Sequence, residues 1–302
     1  MSAAETTTPE LAAARPRWEE TLALLARSPL AVVSTAVLAV LVAAALLGQR
    51  LAPYPANAVD VQARLQPPSA EHWFGTDELG RDVFSRVLLG AEVSLRVGVV
   101  AVGIALVAGV LVGLVAGFYG RWLDDALMRS MDVLFAFPAI LMAIAVLAVL
   151  GPGTTNAMIA IGIVYTPIFA RITRASVLGV REEVYVRAAR AAGAGDARLL
   201  RRHVLPNVAA PIIVQTSVSL AFAILSEAAL SFVGLGTQPP TPSWGRMLAE
   251  GRGFIEQAWW IALFPGLAIF VTVLAFNLLG DALRDVLDPR QRSAISGRGD
   301  PA

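Results

Sequence analysis

The residues able to do chemistry in this chain are few, and their types exclude several classes of function. The sequence holds no cysteine, and its two histidines, His72 and His203, lie too far apart for a local metal-binding motif. All 24 basic residues are arginine, so the chain lacks the lysine that a phosphate-binding P-loop or a Schiff base requires. The formal net charge of +1 gives no indication of a nucleic-acid partner.

One carboxylate stands apart, because Glu227 is the single ionisable residue well inside a predicted membrane span. Such groups are costly in lipid and usually functional. Glu227 lies seven residues before Gly234, which places it about 10 Å inside the predicted end of that span. With no basic residue in the same span, we expect a hydroxyl, amide or arginine from another helix or a partner subunit to contact it. The alternative is an incidental carboxylate near the end of the span, in water or hydrogen-bonded to a neighbouring helix.

Long uncharged runs identify the elements that position these residues. Hydrophobic residues make up 56% of the chain and charged residues only 16%, against roughly 25% charged residues in a soluble domain. Because about 20 apolar residues cross a bilayer as a helix, the sequence predicts an all-α integral membrane protein with six spans. No long apolar run follows Met1 directly, so a signal peptide is not indicated. The predicted spans are 28–49, 97–120, 133–150, 154–170, 209–233 and 257–280.

The arginines predict the orientation of these spans, since basic residues concentrate in cytoplasmic loops. Segment 171–208 has eight arginines and a net charge of +5, whereas segment 52–95 has a net charge of −3. Both termini are therefore expected in the cytoplasm. The predicted organisation is a cytoplasmic segment 1–27, a first span 28–51, an extracytoplasmic loop 52–95, a five-helix core 96–280 with a cytoplasmic loop 171–208 and an extracytoplasmic loop 234–256, and a cytoplasmic tail 281–302.

Three glycines in the second predicted span indicate close helix packing. Gly109, Gly113 and Gly117 recur every four residues and therefore share one helix face. Missing side chains allow two helix backbones to approach. The alternative is that glycine is simply common in membrane helices.

The cytoplasmic loop predicts two short helices joined at a glycine corner. Gly193 should break the first helix, which Glu182 and Glu183 precede. Asp196 should cap the second helix, and Pro206 should end it. Such an exposed pair of helices is suited to insertion into a cleft on a partner.

This loop resembles the inner-loop signature of ABC importer permeases, through Ala188-Ala189, Gly193 and the sequence His203 to Pro206. In that family the loop forms a coupling helix seated on an ATPase subunit. The signature usually begins with glutamate, where this chain has Arg187, so an acid-specific contact is not expected. The residues to which the resemblance assigns ATPase coupling are Arg187, Ala188, Ala189, Gly193, Asp196, Leu205 and Pro206.

Further motifs resemble dipeptide and oligopeptide permeases, and specifically the second permease of a non-identical pair. They are HWFGTDELGRD at 72–82, EAALSFVGLG at 227–236, PPTPSWGRM at 239–247 and the tail 277–290. The resemblance implies contact with a solute-binding protein near the outer mouth. The alternative is a solvated charged surface with turn glycines. The residues assigned to this contact are Gly75, Thr76, Asp77, Gly80, Arg81, Asp82 and Trp244.

Together these motifs imply a type I ABC importer permease-like fold in the cytoplasmic membrane, with cytoplasmic coupling helices. The expected partners are a homologous permease, two ATPase subunits or domains, an extracytoplasmic solute-binding protein and lipid. ATP and Mg²⁺ would bind to the ATPase subunits and no cofactor to this chain. Peptides are the expected cargo. An ion-coupled secondary transporter is the alternative, although nearly charge-free spans argue against it, and no residue cluster suits a membrane enzyme.

Overall fold

A computed structural model describes residues 23–287, and helices form nearly all the regular structure within this part. Most of the predicted segment 1–27 and part of the predicted tail 281–302 lie outside the described residues. Residues 23–27 are helical. The longer helices that follow are α1 (Pro29–Leu51), α2 (Val83–Tyr119), α3 (Arg121–Phe135), α4 (Ala139–Leu150), α5 (Thr154–Val180), α6 (Val184–Ala191), α7 (Asp196–Phe232), α8 (Trp244–Gly251) and α9 (Trp260–Leu287).

Five of these helices, α1, α2, α5, α7 and α9, are each long and apolar enough to cross a membrane. The span expected at 133–150 is instead a bent pair, α3 and α4, whose axes meet at 92°. With 12 residues, α4 rises about 18 Å, which is short of the hydrocarbon core. Six spans are therefore reached when the pair counts as one. Pro138 lies at the bend and accounts for it, because proline lacks an N–H and restricts the preceding residue.

Ion pairs hold the polar helix of this bent pair against α5. The Arg174 guanidinium donates to both carboxylate oxygens of Asp124, at 2.5 and 2.7 Å. A second arginine, Arg171, donates to Asp132 at 2.7 Å. Since Asp124 and Asp132 of α3 both pair with arginines of α5, paired charges as well as apolar packing fix the orientation of α3.

Three spans continue beyond their apolar runs. Helix α2 begins at Val83, so the last residues of the predicted loop 52–95 are helical. Helix α5 continues to Val180 and α7 begins at Asp196, so the predicted loop 171–208 is helical at both its ends. Hydropathy marks only the part of a helix that matches lipid. The additional turns carry charged residues that contact other parts of the chain.

The prediction that Pro206 ends a short helix is wrong, because α7 runs through it. A π turn at Leu200–Val204 precedes the proline, and the N–H of Leu205 donates to the carbonyl of Leu200. Pro206 then lies at the start of the next α-helical stretch, where a missing N–H costs little. The local widening of the helix therefore accommodates the proline.

The predicted close packing of the glycine face is confirmed, and its partner is α5. A Cβ at Gly109 would lie 2.5 Å from the Cβ of Phe169, and one at Gly117 would lie 2.8 Å from the Cβ of Val177. Gly113 faces the backbone of α5 as well. Any larger residue would push α2 and α5 apart, so the contact depends on these glycines.

The helices bring distant loops together at two ends of the bundle. At one end the N–H of Gly153 donates to the carbonyl of Leu235 at 3.1 Å, and α8 carries Glu250; we call this the Glu250 end. At the other end the Arg181 guanidinium donates to the carbonyl of Gly117 at 2.7 Å; we call this the Gly193 end.

Candidate functional site

The loop at the Gly193 end turns sharply through a capped helix terminus. Gly193 follows α6 with φ +85°, a conformation that suits glycine. Its N–H donates to the carbonyl of Arg190 at 3.0 Å, and the N–H of Ala194 donates to the carbonyl of Ala189 at 3.0 Å. This pair of bonds is a Schellman cap. The predicted glycine corner is confirmed.

Buried apolar side chains anchor this loop to the bundle. Val186 of α6 and Leu199 and Val204 of α7 are fully buried in the main core. The guanidinium of Arg190 also lies over the ring of Phe118, 5.2 Å from its centroid. The two helical segments therefore hold a fixed position on the bundle while their other faces remain open.

The residues predicted to couple to an ATPase line those open faces. Ala189 is half-buried, and the other six are exposed, namely Arg187, Ala188, Gly193, Asp196, Leu205 and Pro206. Val184 and Tyr185 at the start of α6 are exposed too. An exposed, rigidly held pair of helical segments provides a surface on which a partner could dock.

Asp196 does not cap α7 as predicted. The capping position is Gly195, which has ψ 157° and makes no side-chain hydrogen bond. Asp196 itself lies in the first turn of the helix. Its carboxylate therefore interacts favourably with the helix dipole instead of accepting a capping hydrogen bond.

At the Glu250 end, the 72–82 loop folds into a tight turn around Asp77. One carboxylate oxygen of Asp77 accepts the backbone N–H groups of Leu79 and Arg81, both at 2.9 Å. Gly80 has φ +76°, and a Cβ there would overlap the carbonyl of Asp60. The motif needs glycine here for both its backbone conformation and the close approach.

Two buried arginines connect this turn to α8. Arg81 donates to Asp77 at 2.6 Å and to Glu250 at 3.0 Å. Arg86 donates to the same oxygen of Glu250 at 2.9 Å. We call these residues, Asp77, Arg81, Arg86 and Glu250, the clasp. Because its charges are largely buried, removal of one partner would leave another uncompensated.

Asp82 links the same turn to α2. One of its oxygens accepts the N–H of Ser85 at 2.7 Å and so caps the helix. The other lies 3.0 Å from Nδ1 of His72, which is also buried. The charged residues of the loop therefore have structural partners within this chain.

Trp244 packs inside the protein at the start of α8. It is 1% exposed, and its indole N–H donates to the carbonyl of Val87 at 2.9 Å. Its backbone N–H donates to the hydroxyl of Ser94 at 3.3 Å. The residue fixes α8 to α2.

These positions argue against direct contact between the motif side chains and a solute-binding protein. The structure buries every one of the residues assigned to a solute-binding protein: Gly75, Thr76, Asp77, Gly80, Arg81, Asp82 and Trp244. The alternative of a solvated charged surface is corrected in the same way. Their charges pair with one another and with α8 instead. Nearby side chains that are exposed include Trp73 and Leu79.

Sequence reasoning missed two members of the clasp, Arg86 and Glu250. Arg86 looked like an ordinary outer-loop charge, and Glu250 lies 164 residues further along the chain. No local pattern connects such distant positions. The sequence signal that bears on them is the excess of acids over arginines in segment 52–95.

Glu78 borders the clasp in a less favourable environment. Burial raises the pKa of its carboxyl group, and the nearby charges of Asp77 and Glu250 raise it further. Oxygens of these three acids lie within 4.8 Å of one another. Arg81 and Arg86 supply the compensating charges, so the geometry is that of an ionic network.

Glu227 is deeply buried in α7, as predicted, at 1% exposure. Its Oε1 accepts hydroxyl hydrogen bonds from Ser231 at 2.7 Å and Thr237 at 3.1 Å. Its other oxygen, Oε2, makes no hydrogen bond within the described residues. Hydroxyl partners were expected, but from another helix or subunit. They come from the same helix and from the loop that follows it.

Two protein families match the chain. Residues 109–293 match the family described as "Binding-protein-dependent transport system inner membrane component", and residues 17–68 match "N-terminal TM domain of oligopeptide transport permease C". The chain therefore belongs to the binding-protein-dependent transport system inner membrane components. Within that family it is a C-type second permease, a multi-pass inner-membrane component of an ABC importer that performs no catalysis itself. Membership in such a system implies ATPase and binding-protein partners.

Curated relatives agree over nearly the whole chain. The dipeptide transport system permease protein DppC of Alkalihalophilus pseudofirmus is 48% identical over 276 residues, which cover 91% of each chain. The glutathione transport system permease protein GsiD of Pectobacterium atrosepticum is 45% identical over 280 residues, covering 92% of this chain and 93% of the relative.

Solved structures confirm the fold. The inward-facing MetNI methionine ABC transporter superposes with a TM-score of 0.56 at 16% sequence identity. The match covers 68% of this chain and 97% of the other. The permease fold expected from the sequence motifs is therefore confirmed.

Proposed function

We propose that this chain forms half of the translocation pathway for di- or oligopeptides and couples that pathway to ATP hydrolysis on partner subunits. A homologous permease would supply the other half, and two ATPase subunits or domains would bind ATP and Mg²⁺. The names of the relatives support peptides as the substrate class. The observation that carries the coupling role is the exposed, anchored loop at the Gly193 end, formed by α6 and the start of α7.

In this proposal the Gly193 end and both termini are cytoplasmic. The eight arginines of segment 171–208 support that orientation. Closure of the ATPase subunits would displace the loop. Because Val186, Leu199 and Val204 anchor it in the core, the displacement would change how the spans pack. The spans would thus switch between two packing arrangements. In one the pathway would be open to the cytoplasm, and in the other to the opposite side of the membrane.

Reconstitution tests the proposal. The chain, its partner permease and the ATPase subunits would be placed in proteoliposomes with the binding protein outside and ATP and Mg²⁺ inside. A radiolabelled dipeptide should accumulate only when ATP is enclosed, and an ionophore should not prevent it. Uptake that needs an ion gradient and no ATPase subunit would support the ion-coupled alternative and contradict the proposal.

A further inference from the structure

One continuous helix joins the two ends of this protein. Helix α7 has 37 residues and is therefore about 55 Å long. It begins at Asp196, three residues after the Gly193 corner, and its last two turns contain Glu227 and Ser231. A displacement of the loop at the Gly193 end therefore acts directly on α7, the helix that carries the buried Glu227.

Glu227 fastens the far end of α7 to the loop that leads into α8. Its Oε1 accepts from Ser231 on the helix and from Thr237 in the loop. The N–H of Thr237 also donates to the Ser231 hydroxyl at 2.9 Å. We call these three residues the latch. Since all three are buried, the hydrogen bonds are shielded from competition with water.

Helix α8 lies directly on α7 beside the latch. A Cβ at Gly245 would lie 2.6 Å from the backbone carbonyl oxygen of Ala228, so the two backbones are in contact. At its other end α8 carries Glu250, which pairs with Arg81 and Arg86. Contacts between buried groups thus run without a gap from α7, through α8, to the 72–82 loop.

We propose that Glu227 is a positioning residue that makes the 72–82 loop move with α7. Through this helix, a movement at the ATPase subunits would change the extracytoplasmic surface, and a movement at that surface would act on the ATPase subunits. The inference rests on the proposed function. A carboxyl group suits the role because one oxygen binds two hydroxyl groups from separate segments, which an apolar side chain of similar size cannot do. Binding coupling is reciprocal. Docking of a loaded binding protein near the loop should therefore act on the ATPase subunits.

The test measures how strongly the loaded binding protein stimulates ATP hydrolysis by the reconstituted complex. Glu227→Leu should preserve basal hydrolysis and abolish the stimulation, because the latch loses its acceptor. Glu227→Gln should retain the stimulation, because its amide oxygen still accepts from both hydroxyl groups. Wild-type stimulation in the leucine variant, or equal loss in both variants, would overturn the inference.

A milder variant covers the case in which Glu227→Leu does not assemble. Thr237→Val preserves the shape of the side chain but removes its hydroxyl group. Stimulation should fall below the wild-type level while basal hydrolysis stays unchanged, and full stimulation would overturn the inference. Peptide uptake by the unaltered complex is measured in parallel. Absence of that uptake would contradict the proposed function, whereas normal uptake with stimulation that survives both changes contradicts only the role of the latch.

Discussion

The two ends of the bundle differ in whether their motif residues are exposed or buried. At the Gly193 end, short helical segments expose most of their predicted contact residues and are held by a few buried apolar anchors. At the Glu250 end, charged motif residues are buried and neutralise one another in the clasp. The predicted contact residues at the Gly193 end are thus mostly exposed, whereas those at the Glu250 end have partners within the chain. Sequence motifs alone do not distinguish these cases.

Glycine illustrates the difference. Gly80 and Gly193 both have positive φ, but only Gly80 also lies where a Cβ would strike another backbone. Around Gly193 a Cβ would meet nothing within 4 Å. Substitutions at these two positions should therefore differ sharply in what they damage.

The largest expected effect is at the Glu250 end. Gly80→Ala should destabilise the protein by about 3 kcal/mol, because it combines left-handed backbone strain with a clash against Asp60. The measurement is thermal unfolding of the purified complex. Gly103→Ala is the matched control, since Gly103 is helical and has open space around it. Equal stability of the two variants would contradict the close approach described for Gly80.

A smaller loss is expected from the clasp. Glu250→Gln should cost about 1.5–3 kcal/mol, because Arg81 and Arg86 lose their shared charged acceptor. The control is Glu92→Gln, whose ion pair with Arg96 is 3.9 Å long and exposed and should contribute less than about 1 kcal/mol. Chemical denaturation of both variants compares the two. If they lose the same stability, the clasp contributes no more than a surface pair.

At the Gly193 end, the effect on stability should be smaller still and the effect on function specific. Gly193→Val should strain the Schellman cap by about 1–2 kcal/mol, leave the chain in the membrane and uncouple ATP hydrolysis from uptake. The control is Gly195→Val, since Gly195 has φ −70°, which valine tolerates. The measurement is peptide transported per ATP hydrolysed. Normal uptake by Gly193→Val at normal expression would refute the predicted role of the corner.

The smallest effect concerns Glu78. Because burial raises its pKa, the ionised form is disfavoured in the folded protein, and the resulting penalty appears as the pH rises through that raised value. Glu78→Gln should therefore increase stability at neutral pH by at most about 1 kcal/mol. The gain should disappear below the ordinary pKa of glutamate. Unfolding temperatures of both proteins across pH would show it, and a gain that persists in acid would contradict the electrostatic cause.

The sequence predicted well those features that depend on local pattern. Apolar runs located five single spans, the four-residue glycine spacing indicated close helix packing, and Gly193 lies at the turn that ends α6. The burial of Glu227 also followed from its place in an apolar run. Each of these signals lies within a few turns of one helix.

Features that depend on distant contacts were not predictable in this way. The charged partners of Arg86 are Glu250 on α8 and Asp77 in the 72–82 loop, so its burial could not be inferred from a local pattern. Pro206 normally signals the end of a helix, but the preceding π turn removes the conflict. The bend at Pro138 interrupts an apolar run that hydropathy alone treats as one straight span.

The orientation of the two ends is the central claim, and cysteine labelling tests it most directly. The chain has no native cysteine, so single introduced cysteines report sidedness without background. An impermeant maleimide added to intact cells should label Ser69→Cys and Thr241→Cys at the Glu250 end. It should label Ala194→Cys, at the Gly193 end, only after the membrane is opened. Labelling of Ala194→Cys in intact cells would contradict the proposed topology and the docking of ATPase subunits on this loop.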